Sequence, residues 1–424
     1  MLLLLCADLA IIIGSARVFG WLFGKVGQPP VVGEILAGVI LGPSLLGRLY
    51  PGAIKTMLTP QTTSVLSAIA QIGLVLLMLL IGLEFPFDRL RHAARASVFV
   101  AVAGIAVPFA ASYALAGYLF RISPVASPEL AFRLFFATAV SITAIPIMGR
   151  ILMHTRLTRT RMGLTSITAA AIDDVLGWTL LGAVVSMVTH GRADLPSLAL
   201  SFAGVAVLSV AFWALGRFGL ARLSIRRAAT GGVSAATLAA VLVVVFASAM
   251  ATNALGVFSI FGGFLCGIAG SFNRDLAEGI RTSIGDLVAV LFLPIFFVFS
   301  GLRTDVGSLG TDPRLWLALV AVVVVACVSK FGATAAAARI SGLGWKESLS
   351  IGLLMNTRAL MALVVINVGA DLGVVSPPAF FWLVAMALFT TVITTPILKR
   401  AYPSPGAVAW EPEEEAAGSR YKVQ

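Results

Sequence analysis

The chain is 424 residues long, 59% hydrophobic and only 12% charged, with a mean hydropathy of +1.00. A water-soluble domain carries about 25% charged residues, so this composition excludes an ordinary soluble enzyme, a disordered chain and a disulfide scaffold, and describes a polytopic membrane protein. Lys and Arg number 30 against 19 Asp and Glu, a net charge of +11. The basic residues cluster in short gaps between apolar runs, as cytoplasmic loops do, so the excess points to membrane topology and not to a nucleic-acid partner.

The opening run MLLLLCADLAIII lacks a basic n-region, carries Asp8 and has no clear cleavage site. It reads as the first membrane segment, not a signal peptide. A bilayer core of about 30 Å takes about 20 apolar residues. Stretches of that kind predict about thirteen helices, near 2–23, 31–47, 64–84, 97–120, 132–153, 164–189, 196–216, 232–252, 255–271, 284–301, 315–339, 347–369 and 377–398. Twenty of the Lys and Arg fall after odd-numbered segments or in the tail, against seven after even-numbered ones. That bias puts the N-terminus outside and the C-terminus in the cytoplasm.

In chain order, Glu34 opens the second segment beside Pro29-Pro30, where an acid either answers the helix dipole or serves a cytoplasmic cation funnel. Glu84 closes the third beside Asp88, Arg89 and Arg91; it pairs with the loop or joins the same funnel. The fifth contains SITAIPIMGRIL, where Pro146 removes a backbone hydrogen bond and frees the carbonyl near Ile142. Thr143 either satisfies backbone groups there or faces an ion. Asp173 and Asp174 lie about ten residues from either end of the sixth segment. Two adjacent carboxylates in low dielectric repel each other, so they need a proton or a cation between them. Hard oxygen ligands of this kind take a small cation or a proton in turn.

Gly262, Gly263, Gly267 and Gly270 in the ninth segment allow close helix approach, with packing inside the protomer favoured over a dimer seam. Asp286 is expected at the start of the tenth, a favourable end for an acid. Lys330 lies deep in the eleventh and needs a counter-charge, with Asp173 or Asp174 the candidates. Arg358, in the polar patch Asn356-Thr357-Arg358 of the twelfth, either neutralises carbonyls at a broken helix end or pairs with a carboxylate. Two interrupted helices in separate halves of a chain point to a midplane transport site. Cys6, Cys266 and Cys327 lie singly in apolar runs, without disulfide or metal spacing. His92, His154 and His190 lie in or beside loops, as solvated residues or pH sensors. The tail, with Pro403, Pro405 and an acidic run at 411–415, reads as disordered.

Seven ordered pieces resemble the monovalent cation:proton antiporter-2 family over about residues 18–400. They are GQPPVVGEILAGVILGPSLLG (27–47), LVLLMLLIGLEF (74–85), SITAIPIMGRIL (141–152), AAIDDVLGW (170–178), FGGFLCGIAG (261–270), LFLPIFFVFSGLRTD (291–305) and MNTRALMALVVINVGADLG (355–373). The resemblance implies an all-α, NhaA-like fold with inverted repeats and two interrupted helices crossing near the midplane, at Thr143–Pro146 and Asn356–Arg358. Residues 1–400 become a transmembrane antiporter domain, a core plus a panel that also forms a homodimer, and 401–424 a short cytoplasmic tail. The implied activity is secondary active antiport of protons against Na⁺ or K⁺ across the bacterial inner membrane by alternating access, with no enzyme chemistry and no cofactor. By carry-over Asp174 is the main cation ligand, with Thr143 nearby, and Asp173 pairs with Lys330 until the cation enters. Two aspartates with this lysine favour Na⁺. The alternatives are a Kef-like potassium efflux system and a transport-inactive scaffold. The second is suggested by one departure: where the family usually reads TRGLTEL, this chain has Ala359, Met361 and Ala362 for the Gly, Thr and Glu, leaving Arg358 without a local acid.

Overall fold

In a computed structural model the described residues are 2–50, 52, 59–84, 94–154, 157, 160–190, 195–222, 231–255 and 259–401. Among them no β-strand occurs. The main helices are α1 (Leu2–Lys25), α2 (Pro30–Leu41), α3 (Pro60–Leu83), α4 (Ala94–Ile122), α5 (Glu129–Ser141), α6 (Ile145–His154), α7 (Arg161–His190) and α8 (Leu195–Ala214). They continue with α9 (Ala235–Ala254), α10 (Ser259–Ser271), α11 (Arg274–Leu287), α12 (Leu293–Leu302), α13 (Pro313–Ile340), α14 (Trp345–Met355), α15 (Ala359–Asp371) and α16 (Pro377–Ala401).

Ten of the described helical stretches are long and apolar enough to cross a membrane, which falls short of the predicted thirteen. For two segments the reason is geometric. The fifth is broken into α5 and α6, and the ninth is the 13-residue α10. The tail beyond residue 401, Asp88, Arg89, Arg91 and His92 lie outside the described residues, as do the side chains of Pro146, His154 and His190.

The chain divides into two compact units. One comprises Met1–Ile13, Gly52–Asp88 and Val175–Phe299. Within it α10 packs against α3 and α9. A side chain at Gly263 or Gly267 would collide with the carbonyls of Val75 or Leu79 on α3, and one at Gly262 with Ser248 on α9. The glycines therefore serve packing inside the protomer, where missing side chains let backbones touch. α11 is capped by Asn273, whose Oδ1 accepts from Leu276 N at 3.0 Å and whose Nδ2 donates to Leu220 O at 2.7 Å. The tenth segment thus begins ten residues earlier than expected, at Arg274. Asp286 is an exposed residue at the end of α11, not a helix-start acid, so the dipole argument for it fails.

The other unit comprises Gly14–Pro51, Arg89–Asp174 and Ser300–Gln424. It repeats one pattern twice: a long helix, a broken helix and a long helix, as α4, α5/α6, α7 and as α13, α14/α15, α16. α13 packs along α4, α14 and α16, and α15 packs against α5, α6 and α16. Every residue of α15 from Ala359 to Gly369 is buried. The starts follow local rules. Pro30 and Pro313 open α2 and α13, where the missing N–H costs nothing, and Asp312 caps α13 by accepting from Arg314 N at 2.9 Å.

Candidate functional site

A helix that stops inside a membrane leaves its last carbonyls and first N–H groups without partners, and hydrocarbon cannot satisfy them. α5 stops at Ser141, and Ile142 turns to an extended φ of -76° and ψ of 144° before α6 resumes at Ile145. Pro146 falls in the first turn of α6, where its lack of an N–H is tolerated. α14 stops at Met355, and Arg358 precedes α15 with φ -123° and ψ -34°.

The two breaks satisfy each other. Thr143 Oγ1 donates to the Met355 carbonyl at 3.0 Å, and Ala144 N donates to the Thr357 carbonyl at 2.8 Å. This brings together the two interruptions that the sequence placed 212 residues apart. Of the two roles open to Thr143, backbone satisfaction is one it fills.

Asp173 and Asp174 lie midway along α7, 0% and 1% exposed. Lys330 on α13, also 0% exposed, donates to Asp173 Oδ2 at 3.0 Å and Oδ1 at 3.3 Å. Its third bond goes to the Ser141 carbonyl, one of those freed by the end of α5. The ammonium's three donors are thus all used. Asp173 also meets the Thr143 backbone amide and the Thr143 hydroxyl, whose single proton it shares with the Met355 carbonyl. Of the two candidate counter-ions, Asp173 is the one bonded to Lys330.

Asp174 differs. Among the described residues neither of its carboxylate oxygens has a hydrogen-bond partner, although it feels the charges of Asp173 and Lys330. A buried carboxylate with four unused lone-pair directions is costly unless neutralised. The donor set fits a small monovalent cation, which would take both oxygens, and it fits a proton equally well.

Arg358 is 0% exposed and bonds neutral groups: Nη2 donates to Ala326 O at 2.8 Å and Nη1 to the Met386 sulfur at 2.8 Å, while among the described residues Nε has no partner. It anchors the break to a carbonyl on α13, four residues before Lys330, and Ala362 at the expected acidic position is buried. Glu34 on α2 is half-buried against Gly20 of α1. Glu84 is exposed and paired with Arg281 at 3.3 Å, both about 60% exposed. The structure therefore brings Asp173, Asp174, Thr143 and Lys330 together and places Arg358 at the adjoining break.

One contributor to the site, and one buried acid of the other unit, escaped the sequence. The Ser141 carbonyl has no side-chain signature and could be found only from where the helix ends. Asp8 is 2% exposed in α1, with a hydrogen bond to Thr62. Its signal was available, as an acid seven positions into an apolar run.

The family model described as "Sodium/hydrogen exchanger, transmembrane" matches residues 13–401. The chain is 37% identical to the Na(+)/H(+) antiporter NhaS4 of Synechocystis over 95% of its own length and 98% of that protein. It is 33% identical to Cation/H(+) antiporter 19 of Arabidopsis thaliana over 94% of its length, but spans only 50% of that longer protein. Among solved structures, the sodium proton antiporter MjNhaP1 of Methanocaldococcus jannaschii shares the fold, with TM-score 0.62 at 16% identity, covering 95% of this chain and 97% of the other.

Proposed function

The chain belongs to the sodium/hydrogen exchanger family, membrane antiporters that exchange protons for monovalent cations, and we propose that in this member Asp174 takes the cation and the proton in turn, with Na⁺ favoured over K⁺. The observation that carries the reading is the contrast within the carboxylate pair. Asp173 is neutralised by Lys330, whereas the Asp174 oxygens are buried without hydrogen-bond partners among the described residues. A bare charge there resists crossing a low-dielectric barrier. Binding of either ligand removes that resistance, so the loaded site changes sides and the empty one does not, which couples the two fluxes. The preference for Na⁺ rests on the two-aspartate and lysine pattern and on the likeness to the Na(+)/H(+) antiporter of Synechocystis.

The unit that holds the site is the moving core of this reading, in a homodimer of the plasma membrane with its N-terminus outside and its C-terminus in the cytoplasm. The charge bias of the loops supports the orientation. Glu84, whose charge is met by Arg281, gives a cytoplasmic funnel little support. A second reading, the fold kept without turnover, draws on Arg358 having only neutral hydrogen-bond partners.

The test is reconstitution into liposomes, with proton flux recorded under opposed Na⁺, K⁺ and Li⁺ gradients. Wild type is expected to move protons with Na⁺ most effectively, and Asp174→Asn to abolish the flux while the protein stays in the membrane. Normal flux in Asp174→Asn overturns the site. A silent wild type favours the second reading.

A further inference from the structure

α16 contains the run Thr390-Thr391-Val392-Ile393-Thr394-Thr395, and all four threonines are buried. A buried helical threonine ordinarily bonds back to its own helix. Thr390 does only that, donating to Ala387 O at 3.1 Å. Two of its neighbours also reach across. Thr391 Oγ1 donates to Ala387 O at 2.8 Å and accepts from Ala359 N, the first residue of α15, at 3.3 Å. Thr394 Oγ1 lies 2.8 Å from Thr390 O and 3.3 Å from Leu353 O, in the last turn of α14, so its single proton is shared between the two.

One turn of α16 therefore presents an acceptor to the N–H freed on one side of the α14/α15 break and a donor to a carbonyl on the other side. The Met386 sulfur, on the same helix, takes a donor of Arg358 at that break. The α5/α6 break is held from outside by Lys330 of α13, which donates to the Ser141 carbonyl. Its Thr143 and Ala144 bond Met355 O and Thr357 O, which are themselves part of the first break, and Thr143 in turn meets Asp173. One line of support runs from α16 to the α14/α15 break, then to Thr143, then to the carboxylates.

We propose that Thr391 and Thr394 are positioning residues for exchange, holding the two half-helix ends so that the carbonyls which anchor Thr143 stay in register with Asp173. This rests on the exchange reading above. The hydroxyls touch neither ion nor carboxylate and act through the backbone of the break.

The test uses the full chain in proteoliposomes, with cation-driven proton flux measured across Na⁺ concentrations and pH for Thr391→Val, Thr394→Val, Thr391→Ser, Thr394→Ser and Thr390→Val. Loss of one hydrogen bond predicts a rise in apparent KM for Na⁺ of about two- to tenfold in each valine variant, with a displaced pH profile. The serine variants are expected to keep wild-type values because they keep the hydroxyl, and Thr390→Val because its hydroxyl bonds only its own helix. Valine variants with wild-type KM and pH profile overturn the proposal, as do serine variants impaired as much as valine. If a valine variant does not accumulate, Thr391→Ala and Thr394→Ala are read by Na⁺-dependent thermal shift, where a wild-type midpoint concentration overturns it equally. A wild type without flux defeats the exchange reading instead, so the two failures are distinguishable.

Discussion

Lys330 is fully buried, so the protein must satisfy its donors, and both Asp173 oxygens and the Ser141 carbonyl do so. Removing one partner of a buried ion pair costs about 3–5 kcal/mol because the other charge is stranded, whereas removing both together is far cheaper. Lys330→Ala is therefore expected to lower the thermal midpoint of the purified protein sharply, and Asp173→Asn added to it to recover most of the loss. A double variant as unstable as the single one would mean that the pair is not what holds these helices. Flux measured on Lys330→Ala should show a changed Na⁺ affinity or pH profile, since Asp173 then competes for the incoming ion; unchanged values would remove Lys330 from the transport cycle. Both carboxylates and the lysine were legible in the sequence, because a charge deep in an apolar run has few explanations. What the sequence left open was which acid bonds the lysine. That depends on where α13 crosses α7, and no local pattern records it.

At the scale of elements, the α4–α13 contact is set by Gly104, where a side chain would meet Thr334 Cγ2 at 2.7 Å and the Lys330 Cε and Nζ at 3.8 Å. Gly332, on the same helix as Lys330, has open space around it. Gly104→Val overpacks the contact, a cost of about 1–3 kcal/mol, and pushes on the helix that carries the lysine. It should lower both stability and exchange. Gly332→Ala should raise stability by about 0.5–1 kcal/mol, because it relieves a helical glycine without meeting a neighbour. Chemical unfolding of both variants checks the contrast, and equal effects would refute the close approach. The interruptions themselves were legible, Pro146 in one and a polar triplet in the other, since each breaks a hydrophobic pattern. The partnership between them was not, because it links carbonyls, which every residue has. The misplaced start of α11 has a different cause. The stretch RDLAEGIRTSIGDL buries one face only, so a hydropathy average passes over it, while the Asn273 cap that begins it is a one-residue signal.

For the molecule as a whole, composition alone separated a membrane protein from a soluble one, and a chain this poor in charge makes each buried charge stand out. The exchange cycle then makes a demand on total charge. If Asp174 accepts a cation or a proton but not both, acid must weaken cation binding, and cation binding must stabilise the fold that presents the site. A ligand at about one hundred times its dissociation constant adds about 2.7 kcal/mol to stability. Na⁺ should therefore raise the thermal midpoint of the wild-type protein in a saturable way, and the concentration needed should increase as pH is lowered, because protons then fill the same oxygens. The sign follows from competition: protonated Asp174 offers no charge to the cation, so acidification acts as a competing ligand. Choline chloride at matched ionic strength should give no such rise, since it screens surface charge without fitting between buried oxygens. In Asp174→Asn the Na⁺-dependent part should vanish at every pH while the choline baseline stays. An equal Na⁺ response in that variant would place the cation elsewhere. A wild-type response indifferent to pH would mean that cation and proton do not share a site, and the coupling would then have to come from some element other than the carboxylate pair.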